Sequence, residues 1–195
     1  MQTQSAIRTI EPNLRKVANR LEVMGWMSFG LQLALTLAAG GFLAFTISHT
    51  DLSEATTPGV SIGMFWAICG TIVLLGGIYL AFRLARLAPL LRQSNVKKHP
   101  SKSDITKLLR MAMVVGLVGM ALLIVGEGTM IGVLLAKAIA QPKPGAIYDV
   151  RDLVRPLDLM AALPHILGIV GHYVPVLISF STLRWLQQVK GLPNK

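Results

Sequence analysis

Four stretches of this chain, roughly residues 24–47, 61–82, 111–139 and 158–183, are apolar over a length that matches the hydrocarbon core of a bilayer. A helix needs about 20 such residues to cross. With no water inside the bilayer, each stretch must satisfy its backbone polar groups internally, which a helix does. The expected fold is an all-α integral membrane protein, a bundle of four transmembrane helices. Composition agrees: 53% of residues are hydrophobic and 14% charged, where a soluble domain carries about 25% charged residues.

The connections between the runs alternate in charge. The N-terminal segment 1–23 holds Arg8, Arg15, Lys16 and Arg20. The loop 83–110 holds Arg83, Arg86, Arg92, Lys97, Lys98, Lys102, Lys107 and Arg110, and the tail 184–195 holds Arg184, Lys190 and Lys195. The loop 48–60 has no basic residue, and the 140–157 loop sets Lys143, Arg151 and Arg155 against Asp149 and Asp152. Lys and Arg flanking a span stay in the cytoplasm, so both termini and the loop 83–110 are expected there, with that loop facing anionic lipid. The net charge of +10 thereby belongs to topology. No aromatic residues are interleaved with it to stack bases, which argues against a nucleic-acid partner.

The first apolar run exceeds a signal-peptide core of about 7–15 residues and is expected to remain in the mature protein. A plastid transit peptide would be richer in Ser and poorer in acids than the segment before it, which favours a bacterial gene product or an already processed form. Within that segment, residues 12–22 place Leu14, Val17 and Leu21 on one helical face. This fits either a short helix lying in the membrane surface or an extension of the first span. Pro100 breaks the middle loop, and Ser101 or its neighbours can cap the helix that follows. Gly128 and Gly132 form a G-x-x-x-G pattern suited to close helix packing, within the bundle or between copies of the chain.

Ionisable groups at membrane depth are costly and tend to pair or to mark a pathway. In the fourth run Asp158, His165, His172 and Ser179 recur every seven residues, forming one stripe with about 20° of drift per repeat. Two histidines seven apart are separated by about 10 Å along the axis, which excludes a shared metal ion within this helix. Counting depth from the helix ends at about 1.5 Å per residue brings Glu127 to the level of His165, Lys137 to Asp158, and Gln32 to His172. These are three expected layers of interhelical pairing. Glu127 with His165 is the candidate metal-ligating combination. The layers serve either as glue between helices, worth about 0.6 kcal/mol per hydrogen bond, or as a path for a cation or proton. Cys69 is the sole cysteine, which excludes an internal disulfide or a cysteine-built metal cluster. No nucleotide-binding or hydrolase motif is present, so neither an enzyme nor a bound cofactor is expected.

Several short motifs recur in a familiar order. At the start of the first run stand Arg20-Leu21, Gly25-Trp26, Ser28-Phe29 and Gln32-Leu33. The third run carries Leu109-Arg110, Gly119-Met120, Gly126, Gly132 and Ala136-Lys137-Ala138, and the fourth Leu157-Asp158, His172 and Ser179. From about residue 20 to 184 the chain resembles the four-span family of the chloroplast inner-envelope protein Tic twenty-one, the permease in chloroplasts, and its cyanobacterial relatives. One departure is that His165 and Leu167 stand where the family pattern has asparagines. The resemblance implies a cyanobacterial plasma or thylakoid membrane or a chloroplast inner envelope, and a role in iron permeation or in protein import.

Two functional classes follow. One is a small permease, oligomeric because four helices enclose little pathway, moving a metal cation past Glu127, His165, His172 and Asp158. The other is a non-catalytic scaffold or accessory factor for protein import or membrane-complex assembly, whose partners are anionic lipids and other membrane proteins.

Overall fold

The helices are longer than the membrane requires, and this sets the architecture. The computed structural model describes residues 2–49, 58–92, 100–140, 154 and 156–189. They form α1 (Gln2–His49), α2 (Pro58–Arg92), α3 (Lys102–Ile139), the short α4 (Pro156–Met160) and α5 (Leu163–Gln188). At about 1.5 Å per residue, 48, 35 and 38 residues give α1 to α3 lengths of about 50–70 Å. A bilayer core is about 30 Å thick, so the helices must project beyond it. Four segments are long and apolar enough to span: Leu14–His49, Ser61–Arg92, Lys102–Ile139 and Asp158–Gln188. The protein is a multi-pass integral membrane protein.

The buried positions follow a seven-residue repeat in every long helix. On α2 the seam runs through 63, 67, 70, 74, 77, 81, 84, 88 and 91, with 64, 78, 80 and 85 buried beside it, and from α4 into α5 it runs through 158, 161, 165, 168, 172, 175, 179, 182 and 186, with 164, 171 and 178 beside it. Alternating steps of three and four keep one seam facing the bundle and imply a left-handed supercoil. The seam is small or polar in the middle and aliphatic at the basic end. There Val17, Ala18, Leu21, Leu80, Leu84, Ala88, Leu91, Ile105, Leu108, Leu109, Ala112 and Leu186 form one hydrophobic cluster. Farther along, large apolar side chains point outward, among them Leu37, Phe65, Ile72, Val114 and Ile124. Lipid solvates that outer face as well as any core would, so the middle of the bundle is held by close packing and hydrogen bonds. The basic end is held by hydrophobic burial.

Consecutive long helices run antiparallel. α1 packs on α2, α2 on α3, α3 on α5, and α5 back on α1, with α2 and α5 also approaching across the diagonal. Glycines set the close approaches. A Cβ on Gly25 would lie 2.7 Å from the Ala85 backbone, and one on Gly70 would lie 2.3 Å from a Leu123 methyl.

Three expectations change in detail. Residues 12–22 are no separate surface helix; they continue α1, with Val17 and Leu21 in the cluster at the basic end. The basic loop is shorter than 83–110, because Arg83, Arg86 and Arg92 lie on α2; Lys97 and Lys98 fall outside the described residues. The fourth span comes in two pieces, interrupted at Ala161 and Ala162. Pro164 lacks an N–H, and the turn is tightened by Ala162 N donating to Leu159 O at 3.2 Å and His165 N to Ala162 O at 3.1 Å. At α3, Ser101 caps as its position suggests. Its hydroxyl accepts from Asp104 N at 3.1 Å while its own N–H donates to the Asp104 carboxylate at 3.1 Å, a capping box.

Candidate functional site: a buried histidine stripe

His165 and His172 project from α5 into the bundle, both fully buried. Each reaches across the diagonal to a backbone carbonyl of α2. His165 Nε2 lies 2.9 Å from Gly63 O, and His172 Nε2 lies 3.1 Å from Gly70 O. A carbonyl only accepts, so both Nε2 atoms carry a proton and donate. In the neutral rings each Nδ1 then keeps its lone pair, and the Ala161 carbonyl one turn earlier also lies beside the His165 ring.

Glycines on α3 make room for the rings. A Cβ on Gly119 would sit 2.1 Å from His172 Cε1, and one on Gly126 would sit 2.6 Å from His165 Nε2. Gly63 and Gly70 on α2, Gly119 and Gly126 on α3, and the two histidines on α5 each repeat at seven residues, so one arrangement occurs twice. Leu123 lies between the two levels, against Gly70 on one side and Gly168 on the other.

Glu127 reaches the first level from α3. Its Oε2 lies 3.7 Å from His165 Nδ1, too long for a hydrogen bond. Both atoms are buried and have no hydrogen-bond partner. The Glu127 side chain keeps 15% exposure while His165 has none, so the carboxylate forms the open side of the pair. His172 Nδ1 is likewise buried without a partner. Among the described residues no third His, Cys, Asp or Glu joins Glu127 and His165 in a group suited to holding a metal.

The remaining sequence candidates separate. Lys137 Nζ lies 3.3 Å from Asp158 Oδ2, with both side chains buried, one heptad from His165 toward the end opposite the basic one. The expected Gln32–His172 pairing does not form. The Gln32 amide donates to Ser28 Oγ at 2.7 Å on its own helix, and its Oε1 faces Gly77 on α2, one heptad beyond the His172 contact. Both side chains face the interior, but the Gln32 amide lies about one heptad along α2 from the carbonyl that His172 reaches, and a depth count from approximate helix ends is too coarse to resolve that offset. Gly128 and Gly132 lie on the outer face of α3, where an added Cβ meets nothing within 4 Å. Close approach inside the bundle rests instead on Gly63, Gly70, Gly116, Gly119, Gly126 and Gly168. Of the basic residues, Arg92 is engaged by Asn19 and Glu22 on α1, while Arg86 stacks on Phe82.

The backbone acceptors Gly63 O and Gly70 O are the partners that sequence reasoning missed. Carbonyls carry no residue-type signal, although glycines at 63, 70 and 77 share the spacing of the histidines.

Comparison with known proteins extends this picture. The chain is 24% identical over 186 residues to Protein TIC 21, chloroplastic, of Arabidopsis thaliana. The aligned region is 93% of this chain and 61% of that relative, so the chain spans well under the relative's full length. No solved structure matches. A family profile described as protein of unknown function DUF3611 matches residues 11–187. That match takes in the first three membrane-spanning segments, all but the last residue of the fourth, and both buried histidines, and the chain belongs to the DUF3611 family.

Proposed function

We propose that this protein is a small permease for a metal cation, with Glu127 and His165 as its transient cation site. The pair of unpartnered acceptors, 3.7 Å apart, carries the reading. Metal–nitrogen and metal–oxygen bonds of about 2.1 Å let one ion touch two donors up to about 4.2 Å apart. Gly63 O holds the Nε2 proton, which leaves Nδ1 as the donor toward Glu127. An imidazole with a carboxylate suits a borderline divalent ion such as Fe2+, and iron is the cation that the sequence resemblance implies. Two protein donors are fewer than a resident metal needs, which suits an ion bound in passing.

His172 is the next station, about 10 Å farther along α5, with Leu123 closing the interval between the levels. Charge distribution supports placing the basic end in the cytoplasm. The order from outside is then Lys137–Asp158, Glu127–His165, Leu123, His172.

A second reading is favoured by the outer face of α3, where Gly128 and Gly132 leave a shallow surface toward lipid. There another membrane protein or a second copy could pack, as a scaffold or an accessory to protein import or complex assembly requires.

Calorimetric titration of the purified protein with Fe2+ under anaerobic conditions tests the permease. The wild type is expected to bind, and Glu127→Gln, which keeps the shape and loses the charge, to bind at least about tenfold more weakly, as loss of a charged contact implies. Equal binding by both would overturn the assignment.

A further inference from the structure

Arg20 occupies the seam between α1 and α5 at the basic end. Its Nη2 donates to Ser181 Oγ at 3.2 Å, and its guanidinium lies 4.6 Å from the centroid of the Trp185 ring. Trp185 packs in turn against the hydrophobic cluster of that end. The head group is thereby fixed, yet its Nε is buried without a hydrogen-bond partner.

A guanidinium is always charged and calls for a counter-charge, and among the described residues none stands against Arg20. The basic end has three carboxylates. Glu22 is paired with Arg92, and Asp104 is committed to the capping box. Glu11 lies nine residues earlier on α1, about 13 Å along the axis. The segments 93–99 and 159–195 contain no Asp or Glu. Lys16, one turn before Arg20, and Arg184, one turn after Ser181, are exposed and add charge of the same sign.

Above Arg20 on the same face of α1 stand Val23, Met27 and Leu31, 58%, 54% and 46% exposed. On α5, Phe180, Leu177 and Tyr173 continue away from Arg184 in the same way, all exposed. A fixed, half-exposed cation thus sits at the foot of an apolar surface that runs into the membrane. We propose that Arg20 binds the phosphate of an anionic lipid headgroup, with the acyl chains lying along the α1–α5 face. A free phosphate would satisfy the same guanidinium but would leave that apolar surface without a role. Ser181 and Trp185 are positioning residues, holding the planar fork toward the phosphate.

Native mass spectrometry of the full chain in nonionic detergent, titrated with phosphatidylglycerol, phosphatidylcholine and inorganic phosphate, tests this. The wild type is expected to prefer phosphatidylglycerol over phosphatidylcholine by about tenfold, and Arg20→Gln to lose that preference, as removal of one charge-assisted contact implies. Arg86→Gln, on an arginine stacked on Phe82 outside the seam, is expected to keep it. Ser181→Ala retains the charge but frees the head group, and is expected to weaken the preference about threefold; it carries the test where Arg20→Gln does not fold. No wild-type preference, or an undiminished preference in Arg20→Gln or Ser181→Ala, would overturn the site. Complete displacement of the lipid by millimolar inorganic phosphate would overturn the lipid assignment.

Discussion

At the scale of single residues, the protein is organised by what glycine leaves out. His172 can donate to Gly70 O because Gly119 presents no Cβ to its ring, and His165 uses Gly126 in the same way. Gly119→Ala must push the imidazole aside, and overpacking of this kind costs about 1–3 kcal/mol. Gly128→Ala adds a methyl to open space on the outer face, and its effect is expected within about 0.5 kcal/mol. Unfolding of the two variants in detergent checks the contrast; equal stabilities would mean that the ring does not rest on Gly119. The stripe through Asp158, His165 and His172 was legible in the sequence because seven residues return nearly to the same helical azimuth. Counting depth also brought Lys137 to Asp158 and Glu127 to His165, pairs that stand 3.3 and 3.7 Å apart. It failed for Gln32, whose donor is satisfied by Ser28 one turn away. A depth counted from approximate helix ends does not resolve the heptad that separates the Gln32 amide from the His172 contact.

At the scale of elements, apolar runs locate spans better than they locate helix ends. Nothing in a hydropathy pattern stops α2 at residue 82, and its helix continues through basic residues to Arg92, where Asn19 and Glu22 receive the guanidinium. The start of α3 was legible because the Ser101–Asp104 capping box is a local signal. The break between α4 and α5 was half legible. Pro164 announces a disturbance, but the choice between a kink and an interruption depends on whether the freed backbone groups find partners, and here the turn at Ala161 and Ala162 provides them. The connection between α2 and α3 is the element whose placement decides orientation. A single cysteine introduced at position 95, in a Cys69-free background, is expected to react only with reagent added from the cytoplasmic side, because the surrounding Lys and Arg resist translocation. Labelling from the opposite side would invert the arrangement and reverse the order proposed for the polar levels.

For the molecule as a whole, two kinds of cohesion are joined end to end. The basic end is a hydrophobic four-helix core, while the middle is a ring of helices drawn together at glycines and spanned on its α2–α5 diagonal by two histidines. The repetition of that bridge, with Leu123 between the levels, gives the interior two polar levels separated by a leucine side chain. On the proposed function a cation passes these two levels, and Fe2+ uptake into proteoliposomes reports that passage. The wild type is predicted to accumulate Fe2+ above protein-free liposomes. Glu127→Gln, folded and of similar unfolding temperature, is predicted to lose at least about nine-tenths of that uptake, in line with the tenfold expected for a lost charged contact. Absence of wild-type uptake, or uptake by Glu127→Gln at the wild-type rate, would contradict it.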